Sequence, residues 1–259
     1  MASSESCLRN KLEARLRFEQ IISELSAQFI HLPSERLDDE IELALKKVLE
    51  FFQVDRCALL HVLPDKNSWK ISYLASSEHA PPIPKGTELP QSIHPWAYEK
   101  LAIKGEVVSF ERVKDMPDEA RVDKQTWVDW GIRSNLVIPI LKSEPLVHVI
   151  AINSVQREYV WPEEYIPRLR LLGEILINAL QLSQTRQELE ERLRFEGLIS
   201  DLSAAFVSIS YKDVKGEIHK WLQRITEFFD VDRCTLGIFS EDGTQLQPAF
   251  EYYLKGVEP

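Results

Sequence analysis

The chain begins, and then begins again. Residues 15–57, RLRFEQIISELSAQFIHLPSERLDDEIELALKKVLEFFQVDRC, return at 192–234 as RLRFEGLISDLSAAFVSISYKDVKGEIHKWLQRITEFFDVDRC. The offset is a constant 177 residues without a gap, and 21 of the 43 positions are identical. A period this long is a whole domain rather than a solenoid unit of about 20–50 residues. The chain is therefore expected to hold one complete domain, a connecting helix and the opening of a second domain. In residue numbers this is a helical extension over 1–17, a domain over 18–182, a helical linker over 183–197 and a partial unit over 198–259.

Charge narrows the partners. With 31 Lys and Arg against 41 Asp and Glu the net charge is −10. Phosphate binding needs clustered cations, so neither nucleic acid nor an anionic membrane is expected as a main partner. No stretch approaches the roughly 20 apolar residues of a membrane span, and MASSESCLRNKLEARLRFE has no apolar signal-peptide core. Cys7, Cys57 and Cys234 sit far apart, two of them at the same position of the repeat, which fits neither a disulfide framework nor a metal cluster. A reducing, cytoplasmic location is expected.

Periodicity predicts the elements. Leu8, Leu12, Leu16, Ile22, Leu25 and Phe29 recur at helical spacing, and Pro33 breaks that helix. Ser34, Asp38 and Asp39 suit the start of a second helix carrying Ile41, Leu45, Val48, Leu49 and Phe52 on one side. RCALLHVL (56–63) reads as a strand closed by a turn, and WKISYLA (69–75) as its hairpin partner. Five prolines between 78 and 95 predict a loop, followed by a helix over 95–103 and a short strand over 107–110. A helix of about 12 residues ends on Gly131. SNLVIPIL and LVHVIAINS form an apolar hairpin suited to a sheet centre. A last helix runs from about Glu163 to near Ser208.

That helix is too long to bury itself on one small domain. Leu169, Leu172 and Leu176 suit packing on the helix's own sheet. A heptad over Leu172, Ile175, Ala179, Leu182, Arg186, Leu189 and Leu193 predicts an inter-chain seam beyond Gln184, with Leu182, Arg186, Leu189 and Leu193 at the interface of a parallel homodimer.

The ordered set of elements resembles a GAF domain. Trp96 through Gly105-Glu106-Val107-Val108 is similar to the family's helix, glycine and short strand. Met116-Pro117-Asp118-Glu119-Ala120 resembles its "LPxEA" helix start, and Gly131-Ile132-Arg133-Ser134 with Ile138-Pro139-Ile140 its "GxRS…xPL" hairpin. Trp161-Pro162-Glu163-Glu164 through Leu171-Leu172-Gly173-Glu174 resembles the helix leaving the domain in bacterial sensor kinases. The resemblance covers about 18–182, and the start of a second such domain 195–259. It implies an α+β fold: a central antiparallel sheet flanked by helices, with a long C-terminal signalling helix leading into a partial second GAF-like unit. Two departures stand out. Lys142-Ser143-Glu144-Pro145 and His148 replace glycines of many relatives. Of the cyclic-nucleotide signature only Asn153 matches, Ser154 replacing its lysine, with Trp161 and Glu163-Glu164 near its other members; cyclic-nucleotide binding is not expected.

The resemblance also implies a pocket for a small molecule, and the candidate lining is His61, Trp96, Trp127, Trp130 and Ser134. His61 alternates with Cys57 and Leu59 and reads first as a hydrogen-bonded core residue, second as a ligand. His94-Pro95-Trp96 stands at the pocket mouth. Trp127 and Trp130 share a helix face, and both core packing and ligand lining fit them. Cys57 reads as a buried structural thiol, with no cysteine where bilin-binding relatives attach their chromophore. Asp55-Arg56, repeated as Asp232-Arg233, suits a salt bridge or turn. No nucleophile elbow, Gly-rich phosphate loop or spaced metal set is present. The expected function is a non-catalytic sensor passing a ligand signal to a dimeric helix and an output domain beyond this chain; no cofactor is named. A ligand-free dimerisation module is the alternative, and a methionine sulfoxide reductase the third reading.

Overall fold

A computed structural model describes residues 2–30, 32–65, 67–140, 147–207 and 209–256, with side chains from residue 9 onward. The chain divides into two compact units, 1–184 and 185–259.

The first unit opens with α1 (Ala2–Ile30), followed by α2 (Leu37–Phe52). Phe18, Ile22, Leu25 and Phe29 lie three or four residues apart on α1 and are all buried. Phe18, Phe51, Phe52 and Tyr165 cluster with ring centroids 4.6–5.5 Å apart, edge to face except for the tilted Phe18–Phe51 pair.

The sheet has six antiparallel strands in the order β3-β2-β1-β6-β5-β4. These are β1 (Arg56–Val62), β2 (Ser68–Ser76), β3 (Glu88–Pro90), β4 (Val108–Phe110), β5 (Ser134–Ile140) and β6 (His148–Ser154). β1 and β6 occupy the centre; of the apolar hairpin expected there, β6 is central and β5 lies one place out, beside the short edge strand β4. β3 falls inside the segment expected to be a loop. It is a three-residue edge, where Pro90 and its missing N–H are tolerated.

Strand alternation divides the interior in two. Cys57, Leu59, Ile150 and Ile152 face α1, α2 and the long helix α5 (Ile166–Val207), whose Leu169, Leu172 and Leu176 are fully buried there. Gly173 lets α5 lie close on the sheet, since a Cβ there would meet Ile140 at 2.5 Å. Ala58, Leu60, Val62, Val137 and Val149 face the other way. In β2 a bulge opposite Leu59 and Leu60 leaves Ser72 without a partner, so that Trp69 and Ile71 join one core and Tyr73 and Ala75 the other.

The second face is covered by α3 (Pro95–Tyr98), a π turn over Glu99–Ile103, and α4 (Arg121–Asp129). The expected helix over 95–103 is thus a short α turn widened after Tyr98, where Lys104 N–H bonds Glu99 O. The hairpin turn Lys142-Ser143-Glu144-Pro145 and the Cys7 side chain lie outside the described residues.

The second unit, described by itself, holds the end of α5, then α6 (Val214–Phe229) and the hairpin β7 (Arg233–Phe239) with β8 (Leu246–Tyr253). α6 and β7 match α2 and β1 at the 177-residue offset residue for residue. So do two local irregularities: left-handed caps at Gln53 and Asp230, both at φ 51°, and bulges at Leu59/Leu60 and Leu236/Gly237.

Candidate functional site

Between the sheet and the α3–α4 cover lies a cavity of about 80 Å³. That volume, on the scale where one water needs roughly 10–15 Å³, holds several waters or one small organic molecule. Its walls are mostly apolar: Leu60, Ile71 and Val149 from the strands, and Trp69, Trp127 and Trp130 as aromatic panels.

Four polar side chains interrupt this lining: Arg56, His94, Asn135 and Asn153. All four are buried, Arg56 with only 2% of its surface exposed. Asn153 and Asn135 sit opposite each other on β6 and β5, and the Asn153 amide donates to Asn135 Oδ1. Arg56 Nη2 donates to Pro81 O at 2.7 Å, while its Nε and Nη1 have no partner. His94 Nε2 is unpartnered as well. Its ring lies 5.0 Å from that of Trp130 and 5.5 Å from Trp127. Burial pushes His94 down to about 4, so the ring is neutral at pH 7. Burial also lowers Arg56 from its ordinary value, against the pull of Asp55, yet a guanidinium stays charged.

Asp123 holds the cover in place. Fully buried on α4, it accepts from the Trp96 and Ala97 N–H groups at 3.1 and 2.8 Å and so caps α3. Burial raises its pKa, partly offset by those two bonds. A second carboxylate orders the loop after β6. Asp55 accepts from the N–H groups of Val155 and Gln156, the Gln156 amide and the Ser77 and Ser154 hydroxyls. Burial opposes its ionisation, but the bonds from Gln156, Val155 and Ser77 prevail and hold its pKa below the ordinary value. Asp55 and Arg56 therefore form no helix-to-strand salt bridge. Asp55 is committed to the loop after β6, and Arg56 reaches Pro81 through Nη2 alone.

Of the five expected lining residues, the structure brings Trp127 and Trp130 to the cavity. The other three are displaced, each for a geometric reason. His61 shares the face of Cys57 and Leu59, away from the cavity, and its Nδ1 hydrogen-bonds Ser72 Oγ at 2.7 Å. Trp96 is half-buried against the cavity-side core, but Ala97 and Leu101, one helical turn apart, are the residues that reach the cavity. Ser134 points to the opposite face from Asn135; its hydroxyl lies 3.0 and 2.9 Å from the Phe110 and Tyr159 carbonyls. Sequence reasoning missed Arg56 and Asn135 as lining residues. The available clue was that Arg56 alternates with Ala58 and Leu60, a charge in register with an apolar face.

Cys57 is fully buried, and burial pushes its thiol well above the ordinary range. Among the described residues no group of three His, Cys, Asp or Glu could hold a metal ion, and no helix is long and apolar enough to cross a membrane.

The GAF domain family model matches residues 36–180, more than half of the chain. The chain belongs to the GAF domain family. Solved structures agree on the fold. The phycoerythrobilin-bound GAF domain of a cyanobacterial phytochrome aligns with a TM-score of 0.54 at 18% identity, covering 65% of this chain and 96% of that one. A bacteriophytochrome from the photosynthetic bacterium R. palustris aligns at 0.63 and 11% identity, over 82% of this chain and 47% of that one. The free methionine-R-sulfoxide reductase of Neisseria meningitidis, bound to its substrate, aligns at 0.50 and 15% identity, over 67% and 93%. No curated protein matches the sequence.

Proposed function

We propose that this GAF domain is a non-catalytic, cytoplasmic sensor whose cavity takes a small organic ligand and whose helix α5 carries the response to a partner or output domain. The observation that carries this reading is the cavity itself: an apolar chamber with a few converging polar groups. Its volume suits a molecule far smaller than a linear tetrapyrrole. A route to α5 follows from strand alternation. On β6, Ala151 and Asn153 face the cavity while Ile150 and Ile152 pack in the core that holds Leu172 and Leu176. A ligand that favours one packing of β6 over another therefore biases α5.

The reading extends to a homodimer through α5. Leu182, Arg186, Leu189 and Leu193 are all exposed in the single chain, and a second copy would cover them. Non-catalytic action is favoured over sulfoxide reduction because neither Cys57, which is buried in the other core, nor Cys234 lines the cavity. Residues 198–259 read as the opening of a second GAF unit.

The test is a thermal-shift and tryptophan-fluorescence screen of the full chain against small metabolites, beside Ala151→Leu, which fills the cavity. Binding to the parent and its loss in the variant support the reading. A screen in which no compound separates the two leaves only the ligand-free dimerisation module. Sedimentation of Leu182→Asp/Leu189→Asp against the parent tests the dimer: the variant should be monomeric and folded, and a parent monomeric at tens of micromolar (about the usual assay range) would remove α5 as the interface.

A further inference from the structure

We infer that the ligand is a small monocarboxylic acid with an apolar or aromatic body, its carboxylate held by Arg56. This rests on the cavity being a ligand site and adds the chemistry of what fills it. Five buried side-chain polar atoms lack partners among the described residues, and three of them belong to Arg56 and His94 on this one cavity. Buried polar atoms in native proteins are almost always paired, and a buried charge without a counter-charge is costlier still. Among the described residues no carboxylate lies within ion-pair distance of Arg56, and its sequence neighbour Asp55 is occupied by the loop after β6.

On the planar guanidinium Nε and Nη1 flank Nη2, which gives one of its two hydrogens to Pro81 O; either free nitrogen together with the remaining Nη2 hydrogen forms a fork that matches the two oxygens of a carboxylate. Charge sets the valence. One guanidinium neutralises one negative charge; His94 is neutral, and Asn135 and Asn153 carry none, so a phosphate dianion would leave net charge buried. His94 Nε2 supplies one further hydrogen bond. Trp69, Trp127 and Trp130 favour a flat hydrophobic body over a second polar group.

The experiment is a calorimetric and fluorescence titration of the full chain with phenylacetate, its neutral isostere phenylacetamide, and inorganic phosphate. The carboxylate should bind at least about tenfold tighter than the amide, with no binding of phosphate. In Arg56→Met that ratio should fall to about one, while the ligand-free variant melts no lower than the parent because an unpaired buried charge has gone. If Arg56→Met does not fold, Arg56→Lys decides by the same ratio: the point charge without the fork should lose most of the preference, and an unchanged ratio overturns the assignment. Equal or tighter binding of the amide by the parent overturns the carboxylate while leaving the ligand cavity standing. Failure of both organic probes, together with an empty metabolite screen, overturns both.

Discussion

The strands Arg56–Val62 and Arg233–Phe239 share their opening residues, their position after a helix and their bulge, yet their surroundings differ. Leu59 is fully buried and Leu236 is 43% exposed; Cys57 is buried and Cys234 only half so; Arg56 is enclosed and Arg233 exposed, its guanidinium 5.9 Å from the Tyr253 ring. β1 pairs on both sides, with β2 and β6, whereas among the described residues β7 pairs with β8 alone. Local sequence thus sets the helix, its left-handed cap and the bulged strand in both units. Burial, and the enclosure that makes Arg56 unusual, come from strands and helices some 40–100 residues further along.

The largest expected effect contrasts equivalent leucines. Leu59→Ala leaves a void in a closed core and should cost about 2–5 kcal/mol, whereas Leu236→Ala should cost less than about 1 kcal/mol. Urea melts of both variants check this, and equal losses would mean that β7 is as enclosed as β1.

The next effect concerns acid. His94 sits at about 4 in the folded chain against an ordinary 6.5. Between those values the unfolded chain binds the extra proton, so stability falls as pH drops through that window and levels off below it. The loss is at most about 3 kcal/mol, and His94→Phe should flatten it. The depressed Asp55 acts separately, with stability lost as pH falls below its ordinary value near 3.8. Melting temperatures of parent and variant from pH 4 to 7 give the comparison.

The smallest effect tests the shared local features. Gln53 and Asp230 both hold left-handed caps, a conformation that favours glycine. Gln53→Gly and Asp230→Gly should each stabilise its own unit by about 1 kcal/mol or less, and by similar amounts. Unequal gains, read from hydrogen exchange of α2 and α6, would show that the caps are not purely local.

The same division explains what the sequence disclosed. The helix faces, the β5–β6 hairpin and the glycine stop at Gly131 were legible because period and punctuation are local properties, whereas the place of β1 between β2 and β6 was not. β3, the widened turn after Tyr98 and the face change at Ser72 were not, because each depends on pairing with a distant segment. Among site residues, Trp127 and Trp130 followed from helical spacing. Ser134 missed the cavity by one position, its neighbour Asn135 lying on the other face. His61 could not be placed by alternation alone, which assigns residues to two faces without saying which face α3 and α4 will cover.

The most direct measurement is a proton–nitrogen correlation spectrum of the full chain, read at the indole signals of its six tryptophans as phenylacetate is added. Trp69, Trp127 and Trp130 line the cavity, Trp161 is buried in the opposite core and Trp221 lies in the second unit. Saturable shifts at the first three, with Trp161 and Trp221 unmoved, are the predicted result. A spectrum that does not change, or one in which only Trp161 or Trp221 responds, would contradict the assignment of this cavity as the binding site.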